Sequence, residues 1–354
     1  MLLEADCIPC ILRMAVAALR QLPLDENTIR ELSTEILEIP ALRGLDWNTT
    51  SAGVIEDIWR KIVKKAGSSD PFRLAKSNQN KKIMDSYPVL KQMVNEAVDP
   101  LYLAVKLAIL GNSLDLMVAD TAAAFENSIK DRLDAPLALE IFSAFEQQLR
   151  ASKRLVYFGD NAGEIVFDKL LIETIKEFHS PEIVFVVRSV PTLNDATLTE
   201  ARSIGIDNIA RLIENGIDGP LPGTLLSRCS SEVKNVVNRS DLIISKGGGN
   251  FDTLDEERKH LNKKISFLLL SKCEPYYRHF CVKIYDPILA NFFHRLSLSV
   301  FLRQPMEIIG QYWVIYFHTE MPVIRFTFGK EQERNVFVQV LSFFIKGIKV
   351  AAPF

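Results

Sequence analysis

Apolar residues recur every three or four positions through the first 150 residues, a spacing that is typical of amphipathic α-helices. Prolines fall between or at the edges of these runs, as expected where helices begin and end. The pattern predicts helices over Cys7–Leu19, Glu26–Leu37, Ala52–Ala66, Met84–Val98, Leu101–Leu116 and Ala135–Leu149.

From residue 151 onward, short runs of β-branched and aromatic residues alternate with further helical patterns. The runs predict strands at Leu155–Phe158, Ile183–Val187, Ile209–Ile213, Asp241–Ser245 and Ile265–Leu270, with helices at 162–178, 197–204 and 230–239. Such alternation predicts a mainly parallel, doubly wound sheet. The expected fold is therefore α/β, with a helical N-terminal half packed on a Rossmann-like α/β/α sheet.

The change of periodicity also predicts the domain organisation. Residues 1–150 form a helical lid and specificity region, and residues 151–290 form the α/β domain. Residues 291–354 are an aromatic-rich extension of unknown role, with strand-like runs at 312–317 and 323–328. It could be a packing element, a dimerisation segment or a poorly folding extension.

Composition narrows the class of protein. The 354 residues are 48% hydrophobic and 24% charged, which is typical of a globular chain. A formal net charge of −2 gives no attraction to nucleic acid or anionic membranes, and no stretch is apolar for long enough to span a membrane. Five cysteines do not indicate a disulfide framework, and no signal peptide is evident, so we expect a cytoplasmic protein.

Polar residues follow the predicted strands, and the carboxyl ends of parallel strands gather at one edge of a sheet. Carboxylate and amide oxygens there suit Mg²⁺ or Mn²⁺, whereas lysines and glycine-rich backbone suit phosphate oxygens. The combination predicts phosphate-ester chemistry, although the Asp-Asn pair could simply cap the following helix. The strand ends are Asp160-Asn161, Arg188 with Asn194-Asp195, Gly216–Thr224, Lys246–Asn250 and Lys272.

Two other features leave alternatives open. Cys7 and Cys10 form a CxxC pair that could be half a zinc site, a redox pair or two buried cysteines at a helix start. Gly111 interrupts an apolar helix at a cost of about 1 kcal/mol relative to alanine. That cost hints at a kink or a close backbone approach, and a merely tolerated glycine is the alternative.

Six motifs in order, spread over residues 1–290, resemble the prokaryotic branch of the damage-control phosphatase family, long known as a domain of unknown function. They are CIPC at 7–10, GNSLD at 111–115, GDNAGEIVFD at 159–168, RSVPTLNDAT at 188–197, SKGGGNFDTL at 245–254 and LLLSKC at 268–273. Members of this family are metal-dependent phosphatases of small phosphorylated metabolites. One departure is Gly248, because the family loop often reads KGQGN.

The resemblance implies that Asp160, Asn161 and Asp195 bind a divalent cation, which could be Mg, Mn, Co or Ni. Asp160, Asp195 and Lys246 are the expected catalytic residues, with water favoured over a carboxylate as the nucleophile. We assign substrate contacts to Asn112, Asp115, Glu164, Arg188, Asn194, Lys246, Gly247, Asn250 and Lys272.

The expected partner is a small phosphorylated metabolite, and a homo-oligomer is left open. Two other functions compete with the phosphatase: a metabolite-binding sensor and a Rossmann-like nucleotide-cofactor transferase. The turn after the first strand lacks GxGxxG, which disfavours the transferase.

Overall fold

A computed structural model describes residues 1–111, 133–135 and 137–293, together with the backbone of three short strands farther along the chain. The chain divides into two compact units, Met1–Phe293 and His294–Phe354. Across the described residues, every helix is too short or too polar to cross a membrane. Asn112 and Asp115, which the sequence analysis assigned to substrate binding, lie outside the described residues.

The N-terminal part of the first unit is helical, as predicted. Asp25, Thr50 and Asp99 each accept a hydrogen bond from a backbone N–H in the first turn of the helix that follows, so the sequence itself sets these helix starts. The described helices here are α1 (Cys7–Arg20), α2 (Glu26–Leu37), α3 (Ser51–Ala66), α4 (Arg73–Asp85), α5 (Tyr87–Asn95) and α6 (Pro100–Leu110), with a 3₁₀ turn at Pro40–Arg43.

One helix was not predicted. The helix expected over Met84–Val98 corresponds to α5, which is shorter, and the unpredicted α4 ends just before it, at Asp85. Pro88 lies in the first turn of α5, where the missing N–H of proline is tolerated. Periodicity did not reveal α4, because it is strongly polar and its buried residues are Lys76, Asn80 and Ile83.

A six-stranded mixed sheet forms the other part of the unit, and it confirms the predicted α/β class. The strands are β1 (Arg154–Phe158), β2 (Glu182–Val187), β3 (Arg211–Glu214), β4 (Leu242–Lys246), β5 (Ile265–Leu270) and β6 (Pro287–Phe292). Their order is β3-β2-β1-β4-β5-β6, in which β1 to β5 are parallel and β6 is antiparallel to β5. The strand order runs outward in both directions from β1 and β4, where α/β proteins bind ligands.

Helices alternate with these strands and cover the sheet. They are α7 (Leu139–Ala151), α8 (Glu164–Phe178), α9 (Leu198–Ser203), α10 (Ser231–Arg239), α11 (Gly248–Leu261) and α12 (Glu274–Phe280). Leu155 and Tyr157 of β1 belong to one apolar cluster, and Val156 and Phe158 belong to another. Because alternate residues point to opposite faces, both faces of the sheet are buried. The sequence analysis did not predict β6, α11 or α12.

Helix α6 lies in the core of this unit, as its almost wholly apolar sequence requires. It packs on α8 and on β5, and its residues from Ala104 to Leu110 are buried. Gly111 ends the helix, where an added Cβ would come within 2.9 Å of the Phe167 ring. The glycine therefore permits a close approach between α6 and α8, one of the interpretations that the sequence left open.

The second unit contains three short described strands, β7 (Glu307–Ile309), β8 (Tyr312–Val314) and β9 (Arg325–Thr327). They pair antiparallel in the order β7-β8-β9. Two of them fall within the runs that the sequence analysis described as strand-like.

Gly111→Ala should overpack the contact between α6 and α8 and lower the free energy of unfolding by about 1–3 kcal/mol. Urea denaturation measures the loss. Phe167→Leu in the same chain should relieve the clash, so the double variant should be more stable than the sum of the two single losses implies. Strictly additive losses would show that the ring does not limit this position.

Candidate active site

Two chain segments meet at the carboxyl ends of β1 and β2. The backbone N–H of Ala196 donates to the carbonyl of Asp160 at 2.8 Å, and Asn161 pairs with Asp195 in an antiparallel bridge. The carbonyl of Asn194 accepts from Ala162 at 2.8 Å. Backbone pairing thus brings the three predicted cation ligands, Asp160, Asn161 and Asp195, next to one another.

The guanidinium of Arg188 lies between the two aspartates. Nε donates to Asp195 Oδ2 at 2.6 Å, and Nη2 donates to Asp160 Oδ1 at 3.2 Å. Nη1 donates to Thr224 Oγ1 at 3.0 Å and to Asn250 Oδ1 at 2.9 Å. Arg188 is buried, and with all three nitrogens engaged by protein it holds the acid pair in place.

Negative charge is concentrated around Asp160. Burial, followed by the carboxylates of Glu164 and Asp195, raises the pKa of Asp160 well above its usual value, against the opposing charges of Arg188 and Lys272. Burial also raises the pKa of Asp195, which Arg188 opposes. Clustered buried carboxylates with raised pKa values are typical of functional sites, and a bound cation would relieve their repulsion.

The donor set fits a hard divalent cation, since it combines two carboxylates with an amide. Asn161 Nδ2 donates to Asp160 Oδ2 at 2.8 Å and to Glu164 Oε2 at 3.1 Å, so the amide is oriented by the acids beside it. Among the described residues, no three histidine, cysteine, aspartate or glutamate side chains group to hold a metal ion. A site here would therefore depend on the amide of Asn161 and on non-protein ligands.

Lys246 lies below this cluster and is fully buried. Its Nζ donates to Ala108 O at 2.7 Å, to Glu164 Oε1 at 2.7 Å and to Asp168 Oδ1 at 2.6 Å. Burial lowers the pKa of Lys246, but Asp168 and Glu164 outweigh that effect and raise it to about 12. Lys246 is thus a buried counter-ion in this structure, whereas the sequence placed it on an open rim.

Asn250 joins the ends of two central strands. Its Nδ2 donates to the carbonyls of Gly159, after β1, and Lys246, in β4, at 3.0 and 2.8 Å. Its Oδ1 accepts from Arg188 and from Thr224. With both ends of the amide engaged and no exposed surface, Asn250 supports the site from within the protein.

The three glycines at 247–249 allow close approach at the start of α11. Gly247 has φ of +77°, and a Cβ there would overlap the carboxylate of Asp160. A Cβ on Gly248 would come within 2.5 Å of the Tyr276 hydroxyl, and one on Gly249 would overlap the carbonyl of Pro222. Tyr276 therefore occupies the space next to the position where this chain departs from the family loop.

The remaining predicted residues differ in exposure. Lys272 is exposed at the end of β5, and its charge lowers the pKa of Asp160, so it lies near the acids. Within the described residues it forms no hydrogen bond or ion pair. Asn194 is half-buried beside the acid pair, and Glu164 is fully buried between Asn161 and Lys246.

Two residues that complete this cluster, Asp168 and Thr224, were given no role by the sequence analysis. Asp168 accepts from Lys246 and from Tyr157, and burial raises its pKa to about 6. It could have been found, because it follows Glu164 by four residues and so shares its helix face. Thr224 ends the Gly216–Thr224 segment, which the sequence analysis included among the strand ends without giving Thr224 a role of its own.

The CxxC pair has half-buried Cys7 and exposed Cys10, and none of the five cysteines is in a disulfide. The interpretation as two buried cysteines therefore fits Cys7 only in part and does not fit Cys10. Burial raises the pKa of Cys7, and it raises the pKa of Cys273 to about 11. A thiol with a raised pKa is a poor nucleophile, so Cys7 is not suited to attack a disulfide as a member of a redox pair.

Gly247→Ala should lower the free energy of unfolding by more than about 2 kcal/mol, because glycine alone tolerates this backbone and Asp160 must move. Gly67→Ala is the matched control, since Gly67 also has positive φ, at +65°, but open space around it. The control should lose only about 1–2 kcal/mol. Equal losses in urea denaturation would contradict close packing of Asp160 on Gly247.

Comparison with known proteins gives the family. Residues 3–287 match the damage-control phosphatase ARMT1-like domain. A damage-control phosphatase from Archaeoglobus fulgidus is 30% identical over 286 residues, which are 80% of this chain and 96% of that protein. A damage-control phosphatase from Pyrococcus horikoshii is 31% identical over 219 residues, 61% of this chain and 72% of that protein.

The fold is shared with a solved structure. A crystal structure of a DUF89 family protein from Pyrococcus horikoshii superposes with a TM-score of 0.71 at 26% identity, covering 82% of this chain and 98% of that chain. An uncharacterized protein from Methanocaldococcus jannaschii is 30% identical over 292 residues, 81% of this chain and 94% of that protein. These findings confirm the resemblance seen in the motifs: the chain belongs to the damage-control phosphatase family.

Proposed function

We propose that this protein hydrolyses phosphate monoesters of small metabolites with the help of a divalent cation. The observation that carries the proposal is the convergence of Asp160, Asn161 and Asp195, which backbone pairing holds together in a buried cluster of acids. Membership in the family supports the same activity, since two relatives are named damage-control phosphatases.

Asp160, Asn161 and Asp195 would hold the cation, which could be Mg²⁺, Mn²⁺, Co²⁺ or Ni²⁺. When bound, such an ion polarises a phosphoryl oxygen and stabilises the charge that develops in the transition state. Arg188 keeps the two carboxylates at a fixed separation, and Glu164 orients the amide of Asn161.

Phosphoryl transfer depends mostly on positioning and electrostatics, so positive groups are needed around the phosphate. The backbone amides at the start of α11, next to Gly247, are suited to phosphate oxygens because helix N-termini attract anions. Lys272 is the exposed lysine beside the acids and would neutralise the phosphate. Lys246 and Asn250 would act from within the protein. Lys246 holds the carboxylates of Glu164 and Asp168, and Asn250 holds the turn after β1.

The helical region would supply specificity. Lys246 binds the carbonyl of Ala108 in the last turn of α6, so the end of this helix lies beside the buried acids. Asn112 and Asp115, which follow α6 in the sequence, would contact the substrate, together with Asn194 on the α/β side. Arg188 would contribute by fixing the acids, since its donors are engaged by protein.

Asp160→Asn should reduce Mn²⁺-dependent release of phosphate from p-nitrophenyl phosphate by about 100-fold, or about 2.7 kcal/mol. Because burial and neighbouring acids raise the pKa of Asp160, a neutral amide there should not lower the free energy of unfolding. Asp207→Asn, an exposed acid outside the site, is the control and should keep full activity. Full activity in Asp160→Asn would contradict the proposed role of Asp160 in binding the cation.

Lys272→Met should lose activity, whereas Lys246→Met should lose stability. Lys272→Met should lower kcat at least tenfold, about 1.4 kcal/mol, without loss of stability. Lys246→Met should destabilise the fold by about 3–5 kcal/mol, because Glu164 and Asp168 lose their buried partner.

Lys259→Met is the control, since Lys259 is exposed near the far end of α11. Its kcat should match that of the unsubstituted protein. A Lys272→Met variant with unchanged kcat and a raised KM would assign Lys272 to ground-state binding only.

A further inference from the structure

Two polar side chains of helix α4 are buried, and its other polar side chains are more exposed. Lys76 has no exposed surface and Asn80 is 2% exposed, although the helix is mostly polar. The two residues are four positions apart and therefore lie on one face of α4. Buried polar groups require partners, and the partners of this face identify its role.

Asn80 is hydrogen-bonded to the turn that carries Asp160 and Asn161. Its Oδ1 accepts from the backbone N–H of Gly163 at 2.6 Å, directly after that turn. Its Nδ2 donates to the carbonyl of Glu200 at 3.0 Å and to Ser203 Oγ at 3.2 Å, both in or beside α9. One side chain thus joins the end of β1 to the helix that follows β2.

Lys76 reaches the segment that carries Asp195. Its Nζ lies 2.8 Å from Asp70 Oδ2, on a partly exposed side chain, and 3.3 Å from the buried Glu200 Oε1. Glu200 Oε2 in turn accepts from the N–H and hydroxyl of Thr197, at 2.9 and 2.6 Å, in a capping box. Thr197 follows Asp195 by two residues. Lys76 therefore contacts, through Glu200, the segment that carries Asp195.

Helix α4 packs against α8 and α9, the two helices that begin just after the two acid-bearing segments. Its polar face therefore contacts both segments from outside the cluster. Ions such as Mg²⁺ and Mn²⁺ demand accurate ligand placement, and groups that orient ligands are worth about 10–100-fold in metal affinity.

We infer that Lys76 and Asn80 are positioning residues for the cation site. Asn80 fixes the turn after β1, and Lys76 fixes the segment after β2. Together they set the separation of Asp160 and Asn161 from Asp195. This inference rests on the proposed function, because it assumes that these three residues bind a divalent cation.

The test compares Asn80→Ala, Lys76→Met, Lys76→Arg and the control Ile83→Ala, which removes a buried apolar side chain from the same helix. Mn²⁺ is titrated into EDTA-treated protein, and free Mn²⁺ is followed by electron paramagnetic resonance. Unfolding in urea, kcat and KM for p-nitrophenyl phosphate are measured alongside.

Asn80→Ala and Lys76→Met should weaken Mn²⁺ binding about tenfold or more, and should lower kcat with little change in KM. Lys76→Arg should restore most of the affinity because it keeps the charge. Ile83→Ala should lose stability but bind Mn²⁺ normally. If Asn80→Ala does not fold, Asn80→Ser keeps a polar group that is too short to reach Gly163, and the same losses are expected.

Normal Mn²⁺ affinity in Asn80→Ala or Asn80→Ser and in Lys76→Met, with only a loss of stability like that of Ile83→Ala, would overturn the inference. If the unsubstituted protein binds no Mn²⁺ and releases no phosphate, the proposed function fails, and the inference fails with it. The two failures are distinguishable because the first leaves the unsubstituted protein active.

Discussion

Crowding of buried carboxylates at the ends of β1 and β2 is the constraint on which this site depends. Among the described side chains of the cluster, four carboxylates, on Asp160, Glu164, Asp168 and Asp195, face two buried cations, on Arg188 and Lys246. Full ionisation would leave an excess of two negative charges, and burial opposes that state by raising the pKa of Asp160, Asp168 and Asp195. Burial makes that excess costly, and a divalent cation would match it.

The fold supplies the geometry for this charge arrangement through short backbone contacts. Pairing of Asp160 with Ala196 places the two acid-bearing segments side by side, and Asn250 joins the end of β1 to β4. Gly247 lets the start of α11 approach Asp160 more closely than any side chain would permit. The positive end of a helix and a cluster of acids thus lie together, as binding a cation and a phosphate at one site requires.

The sequence predicted the parts of this arrangement that follow from periodicity and strand ends. Buried runs such as Leu155–Phe158 identified the parallel strands, and the strand ends identified Asp160 and Asp195 as neighbours. The orientation of each side chain within the site was not predictable. A lysine at the end of a strand can point outward to solvent or, like Lys246, inward to buried carboxylates. Helix α4 gave no signal because its buried face is polar. Strand β6 gave none because its six residues include proline, alanine and asparagine, which are uncommon in strands.

Anomalous diffraction from crystals grown with Mn²⁺ tests the central claim most directly, because it locates the ion. The account predicts one strong peak at about 2.1 Å from oxygens of Asp160, Asn161 and Asp195, and its loss after EDTA treatment together with loss of phosphatase activity. Full phosphatase activity without a peak at these residues, or a peak bound elsewhere in the protein, would contradict the account.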